Sequence, residues 1–174
     1  MTIMEKMVSG ANKLELQLNS RQLEQFNIYY QELLDWNRRI NLTAITDCAE
    51  VQIKHFLDSL TVTLAWQPQS GDNKTSLIDV GTGAGIPGLP LKIVFPDIKL
   101  ALIDATAKKA AFLHHIKEKL GLLHVEIVVG RAEEVANLNE YRESFDMVLS
   151  RALAPLPTLV ELTLPFCAVG GCFI

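Results

Sequence analysis

The chain has 174 residues, 49% of them hydrophobic, which fits one globular domain with a real core and excludes a disordered polar tail. No apolar run reaches the roughly 18 residues of a membrane span, and the N-terminus is polar and mixed, without a signal-peptide core. The net charge of −4 speaks mildly against a bulk electrostatic grip on nucleic acid, but residues 92–131 hold seven Lys/Arg and three His against four Asp/Glu, so a local basic face is possible.

In chain order, residues 1–18 read as a helix or a frayed segment. Asn19 looks like an N-cap with Gln22 at the third helical position, and Leu18 and Leu23 as a staple. Leu23, Phe26, Tyr30, Leu33 and Leu34 then recur at helical spacing, so residues 20–39 form an amphipathic helix. Asp47 and Glu50 resemble a capping box for a second helix to about Trp66. Ile53, Leu57, Leu60 and Leu64 are its apolar stripe, with Lys54, His55, Asp58 and Ser59 on other faces. A Ser-His-Asp relay on that single helix is a poor candidate, since the nucleophile would lack an oxyanion hole. A hydrogen-bonded structural patch is the better reading. Residues 67–74 are a loop by composition.

From residue 76 the pattern alternates. Strands are expected at 76–80, 99–104, 124–129 and 145–150, with a last strand from Cys172. Helices are expected at 88–95, 107–120, 131–138 and from Arg151 to about Phe166. Such alternation means an α/β fold with a mainly parallel sheet and helices on both faces. The division expected is a helical extension over residues 1–75, packed on an α/β domain over residues 76–174. Cys48, Cys167 and Cys172 fit neither a disulfide framework nor a zinc site and point to a reducing, cytoplasmic setting. No metal is expected.

The most informative stretch is Leu77-Ile-Asp-Val-Gly81-Thr-Gly83-Ala-Gly85-Ile-Pro-Gly88. A glycine turn between a strand and a helix brings backbone close to a ligand and aims helix N–H groups at an anion. A GxGxxG-type run means little without context. Here Asp104 ends the next apolar run, where a carboxylate accepts ribose hydroxyls. Asp79, two residues before the first glycine, suits an ammonium-bearing ligand better than a pyrophosphate. Pro87 removes a donor that a pyrophosphate would use. Both favour S-adenosylmethionine over NAD. In an open parallel sheet the ligand sits beyond the carboxyl ends of the strands. That edge carries Gly81, Gly83 and Ile86, then Asp104, Ala105 and Thr106, then Gly130 to Glu133, and finally Ser150-Arg151. Ala132 and Glu133 are placed to contact an adenine. Arg151 emerges where a transferred methyl would lie, which makes it the candidate catalytic residue. Lys108, Lys109 and Lys117, with Arg38 and Arg39, are the candidates for contacts to phosphate groups of a partner.

These motifs resemble the bacterial small-subunit (16S) ribosomal RNA guanine-N7 methyltransferase G family, also called glucose-inhibited division protein B. The glycine stretch carries the resemblance. Trp36-Asn37…Asn41-Leu42-Thr43, His55-x-x-Asp58-Ser59, Asp104…Lys108-Lys109…Phe112-Leu113, Arg131-Ala132-Glu133-Glu134 and Ser150-Arg151-Ala152 support it. It covers about residues 15–174. It implies a Rossmann-like S-adenosylmethionine-dependent methyltransferase that modifies N7 of a guanine in 16S rRNA. The partner implied is that RNA or the small ribosomal subunit, and a monomer is expected. Gly81, Ile86, Asp104, the 105–106 pair, Ala132, Glu133 and Arg151 are implied to line the cofactor site. Family members continue for some thirty residues and finish the sheet with an antiparallel pair, whereas this chain stops inside a strand. N7 of guanine has a lone pair and no proton, so its attack on a methyl group needs positioning rather than a general base. Neither an Asn-Pro-Pro-Tyr-like motif nor a cysteine nucleophile follows the fourth strand. The rival readings are a small-molecule methyltransferase, an NAD-dependent oxidoreductase and a non-catalytic RNA-binding module.

Overall fold

The computed structural model describes residues 4–66 and 75–174, so the loop expected at 67–74 lies outside the described residues. Five strands form one sheet: β1 (Ser76–Val80), β2 (Lys99–Asp104), β3 (Val125–Val129), β4 (Phe145–Leu149) and β5 (Cys167–Phe173). Their order is β3-β2-β1-β4-β5, every neighbouring pair is parallel, and Leu77 lies between Leu100 and Met147. This is the doubly wound arrangement, with chain reversal beside β1.

Alternation along the strands divides the core into two layers. Leu77, Leu100, Leu102, Met147 and Leu149 face the first layer, with α2 (Ser20–Asn37), α5 (Gly88–Val94) and α6 (Ala107–Leu120). Ile78, Val80, Ala101, Ile103 and Val148 face the second, toward Val135 of α7 (Ala132–Val135) and Phe166. Phe166 closes a 3-10 turn after α8 (Leu156–Thr163).

The N-terminal helices cover the first layer. After α1 (Glu5–Lys13), α2 opens on the expected capping box. Asn19 Oδ1 accepts the Gln22 N–H at 2.9 Å, and Gln22 Oε1 accepts the Asn19 N–H at 2.9 Å. Gln22 also donates to the carbonyls of Ile93 and Val94, and Gln25 to that of Leu120, so two amides of α2 satisfy the last carbonyls of α5 and α6. The helix α2 runs antiparallel to α6: Gln25 meets Leu120 at one end, and Trp36 packs on Phe112 and His115 toward the other.

Three expectations are corrected. The second helix is not one regular helix. A first turn, α3 (Cys48–Val51), gives way to a π-helical stretch (Gln52–Leu57), then to α4 (Asp58–Leu60) and a 3-10 turn (Thr61–Leu64). The wider π turn rotates the buried face. Gln52, His55, Phe56, Ser59 and Leu60 are buried, whereas Ile53 and Leu64 of the expected stripe are 46% and 75% exposed. The capping box there is half formed, because Asp47 accepts the Glu50 N–H while the Glu50 carboxylate pairs with Lys54 instead. The last strand starts at Cys167, five residues before the expected Cys172, because Gly170 and Gly171 break the apolar pattern without breaking the strand.

Candidate active site

The glycine turn is braced from below and behind. Gly81, Gly83 and Gly85 all hold positive φ, which costs other residues about 1 kcal/mol or more. Asp79 does not line the ligand side, contrary to the role expected for it. It is fully buried, and its Oδ2 accepts the Thr82 hydroxyl at 2.6 Å and the Gly88 N–H at 2.8 Å. Its Oδ1 is buried without a partner. Burial pushes its carboxyl up to about 6, against the pull of those two hydrogen bonds. From α2, the buried Tyr29 hydroxyl donates to the Ala84 carbonyl at 2.5 Å, and burial holds that phenol well above its usual range.

Asp104 ends β2 beside the turn. Its Oδ2 accepts the Gly83 N–H at 3.0 Å and its Oδ1 the Thr106 N–H at 2.8 Å. Lys109 Nζ stands 3.7 Å from Oδ2. Each carboxylate oxygen keeps a second lone pair for a ligand hydroxyl. Above it opens a cavity of about 200 Å³, lined by Gly81, Asp104, Ala105, Ala132, Glu133 and Leu153, among others. Glu133, exposed at the start of α7, has its carboxyl held below the usual range by its own backbone N–H and by Arg131. A Cβ on Gly83 would meet no atom within 4 Å, so the turn leaves open space there, whereas one on Gly81 would lie 2.6 Å from Leu153 Cδ1.

Thus Gly81, Asp104, Ala105, Ala132 and Glu133 share one cavity, together with Gly130 and Arg131. Asp79, Gly83, Ile86, Thr106 and Arg151 are not on its wall. Ile86 is buried at the turn, and Thr106 N-caps α6. Arg151 reaches away to the N-terminal helices. Its Nη1 donates to Asp58 Oδ2 at 2.8 Å and to the Lys54 carbonyl at 3.0 Å, and its Nη2 meets His55 Nδ1 at 3.1 Å. Three of its five N–H donors are used and two remain. The expected patch around His55 is therefore real, but Ser59 donates to the His55 carbonyl and forms no relay with the ring.

Arg38 and Arg39 follow the end of α2, and Lys108 and Lys109 stand in the first turn of α6. The antiparallel packing puts all four at the same end of the helical layer as the cavity. Lys117 lies in the last turn of α6, at the far end. Sequence reasoning missed Tyr29 as a brace of the turn and Leu153 as a wall. Neither belongs to a local motif: Tyr29 sits within an ordinary apolar stripe, and Leu153 depends on the left-handed Ala152 before it (φ 54°).

A five-stranded parallel sheet, a glycine turn after β1, a carboxylate at the end of β2 and a cavity over that edge define a Rossmann-like protein of the methyltransferase type. The precorrin-6y C5,15-methyltransferase of Geobacter metallireducens shares this fold, with a TM-score of 0.54 at 14% identity over 77% of this chain and 64% of that one. The model of the family described as rRNA small subunit methyltransferase G matches residues 22–174. Relatives named ribosomal RNA small subunit methyltransferase G are 58% identical in Dehalococcoides mccartyi, over 97% of this chain and 70% of theirs. In Roseiflexus castenholzii the identity is 48%, over 98% and 71%. The chain belongs to the rRNA small subunit methyltransferase G family.

Among the described residues no group of His, Cys, Asp and Glu is arranged to hold a metal ion, and no helix is long and apolar enough to cross a membrane.

Proposed function

We propose that this chain transfers the methyl group of S-adenosylmethionine to N7 of a guanine in 16S rRNA. The observation that carries the reading is the Asp104 carboxylate, anchored by two backbone N–H groups at a cavity of about 200 Å³ next to the glycine turn. The residues present fit the cofactor. Asp104 has lone pairs left for ribose hydroxyls, Ala132 and Glu133 flank the space for a base, and Arg151 keeps two N–H donors for a carboxylate. The unpartnered Asp79 Oδ1 lies beneath the turn. When bound, S-adenosylmethionine supplies an electrophilic methyl group on a sulfonium.

The protein's own part is positioning. Guanine N7 offers a lone pair and carries no proton, so no side chain has to act as base. The carboxylates at the site have other partners: Asp79 holds the turn from below, Asp104 holds Gly83 and Thr106, and Glu133 pairs with Arg131. Residues 1–75 act as a helical extension supporting a methyltransferase domain over residues 76–174. Arg38, Arg39, Lys108 and Lys109 meet RNA phosphates, with Lys117 extending that contact along α6. The enzyme acts as a monomer in the cytoplasm, on naked RNA or the small subunit, without a metal.

The test is calorimetric titration with S-adenosylmethionine and, separately, NAD, alongside mass spectrometry of small-subunit RNA for 7-methylguanosine. Micromolar binding of the first ligand only, lost in Asp104→Ala, together with appearance of the modified base, supports the reading. NAD binding, or methylation of free nucleotides but not RNA, overturns it. Substituting both Lys108 and Lys109 by Ala should lower the salt slope of RNA binding by about 2, and an unchanged slope would remove them from the interface.

A further inference from the structure

His55 is a buried histidine whose two ring nitrogens face different parts of the molecule. Nδ1 lies 3.1 Å from Arg151 Nη2, and Nε2 lies 2.7 Å from Thr43 Oγ1. The Lys54 carbonyl is also near Nδ1, at 3.2 Å. A guanidinium has donors only, so the Nδ1 that faces it must accept. The ring proton therefore sits on Nε2 and is donated to Thr43. Thr43 Oγ1 also accepts the Ile45 N–H at 3.0 Å. Thr43 is in turn fixed by Asn37, whose amide accepts the N–H groups of Leu42 and Thr43 and donates to the Thr43 carbonyl. A continuous chain, Asn37–Thr43–His55–Arg151, thus joins the exposed 38–42 turn to the strand end beside the cavity.

We propose that His55 is a positioning residue of the cofactor site: as a neutral imidazole it orients Arg151 through Nδ1 and ties it to the 37–43 turn through Thr43, and protonation of the ring removes one of the three hydrogen bonds that hold Arg151. This rests on the reading that the cavity receives S-adenosylmethionine. A doubly protonated ring would point an N–H at an N–H, so the Nη2 group of Arg151 would lose its acceptor while Nη1 stays on Asp58 and the Lys54 carbonyl. The charged groups facing the ring are Arg151, from the stretch after β4, and Asp58, one turn on; Lys54 faces it only with its carbonyl, its ammonium being paired with Glu50. Burial and Arg151 hold its pKa below the usual histidine value, with Asp58 opposing them. The ring is then neutral at neutral pH, and its support of Arg151 fades as pH falls through that lowered pKa.

The experiment measures S-adenosylmethionine affinity of the full chain by calorimetry from about pH 7.5 to about pH 5.5. The proteins compared are wild type, His55→Asn, His55→Phe and Arg151→Ala, each checked by a circular dichroism melt. The Asn side chain keeps an acceptor near the Nδ1 position and does not titrate. The wild type should lose affinity on acidification by up to about tenfold, the size of one lost hydrogen bond to a charged group. His55→Asn should match wild type at the upper pH and lose less on acidification. His55→Phe should be weaker than wild type throughout, by less than Arg151→Ala. Asp79 titrates in this range in every protein, so the His55 contribution is the difference between wild type and His55→Asn. Superimposable profiles for those two overturn the proposal. So does wild-type affinity in Arg151→Ala, or in a folded His55→Phe. A His55→Phe chain that does not fold leaves the comparison with His55→Asn decisive. No binding by the wild type at any pH overturns the cofactor reading instead.

Discussion

The two sides of the cavity are held in opposite ways. The glycine turn after β1 is held inward: Asp79 grips Thr82 and Gly88, Asp104 grips Gly83, and Tyr29 reaches from the helical layer to Ala84. The stretch after β4 is held outward. Its Arg151 bonds to the N-terminal helices, Ala152 is left-handed, and Leu153 rests, 40% exposed, over Gly81. One side is a cradle built into the core. The other is a wall whose position is set by a different part of the chain.

The largest effect should come from Asp79. Burial pushes its carboxyl up to about 6, above the usual carboxylate range, so the folded state binds this proton more tightly than the unfolded state. The stability it contributes is full below the unfolded pKa and is lost as pH rises through about 6, amounting to about 2–3 kcal/mol. Urea melts between pH 4 and pH 7 should show that slope, and Asp79→Asn should flatten it; equal slopes would mean that the carboxyl is not the buried group described. Next is Gly88→Ala. Its Cβ would stand 2.8 Å from Leu102 Cδ2 and 3.0 Å from Asp79 Oδ2, which should cost about 2 kcal/mol by denaturant melt. Tyr29→Phe removes one buried hydrogen bond and leaves the Ala84 carbonyl unpaired, a loss of about 1 kcal/mol in the same assay. Smallest is Leu153→Ala on the outward-held wall. Stability should change by no more than about 0.5 kcal/mol, while cofactor association and dissociation rates in stopped flow should both shift. A large destabilisation there would erase the contrast between the two sides.

Much of the cradle was legible because its parts are local. The glycine spacing, the apolar β1 and β2 runs and the Asp104 that ends the second all lie within about thirty residues, and each follows from backbone sterics or strand period. His55 and Ser59 are buried, off the apolar stripe the spacing predicts, because a helical period of 3.6 cannot register a π turn, which adds residues without leaving a compositional mark. The partners of Arg151 are not legible in the sequence: its His55 contact closes over 96 residues and depends on a tertiary seam. The spacing predicts that Asp79 faces a ligand, and the structure buries its carboxyl under the turn, on Thr82 and Gly88. A sequence shows that a carboxylate adjoins a glycine loop, but which strand face it occupies emerges from the two-layer alternation of the sheet.

The amides of Gln22 and Gln25 carry one more consequence. By finishing the carboxyl ends of α5 and α6, they make α2 part of both helices' hydrogen-bonding rather than a lid resting upon them. Peeling α2 away would unseal two helix ends at once, so the last turns of α5 and α6 should exchange their amide hydrogens together, as a single cooperative unit with α2.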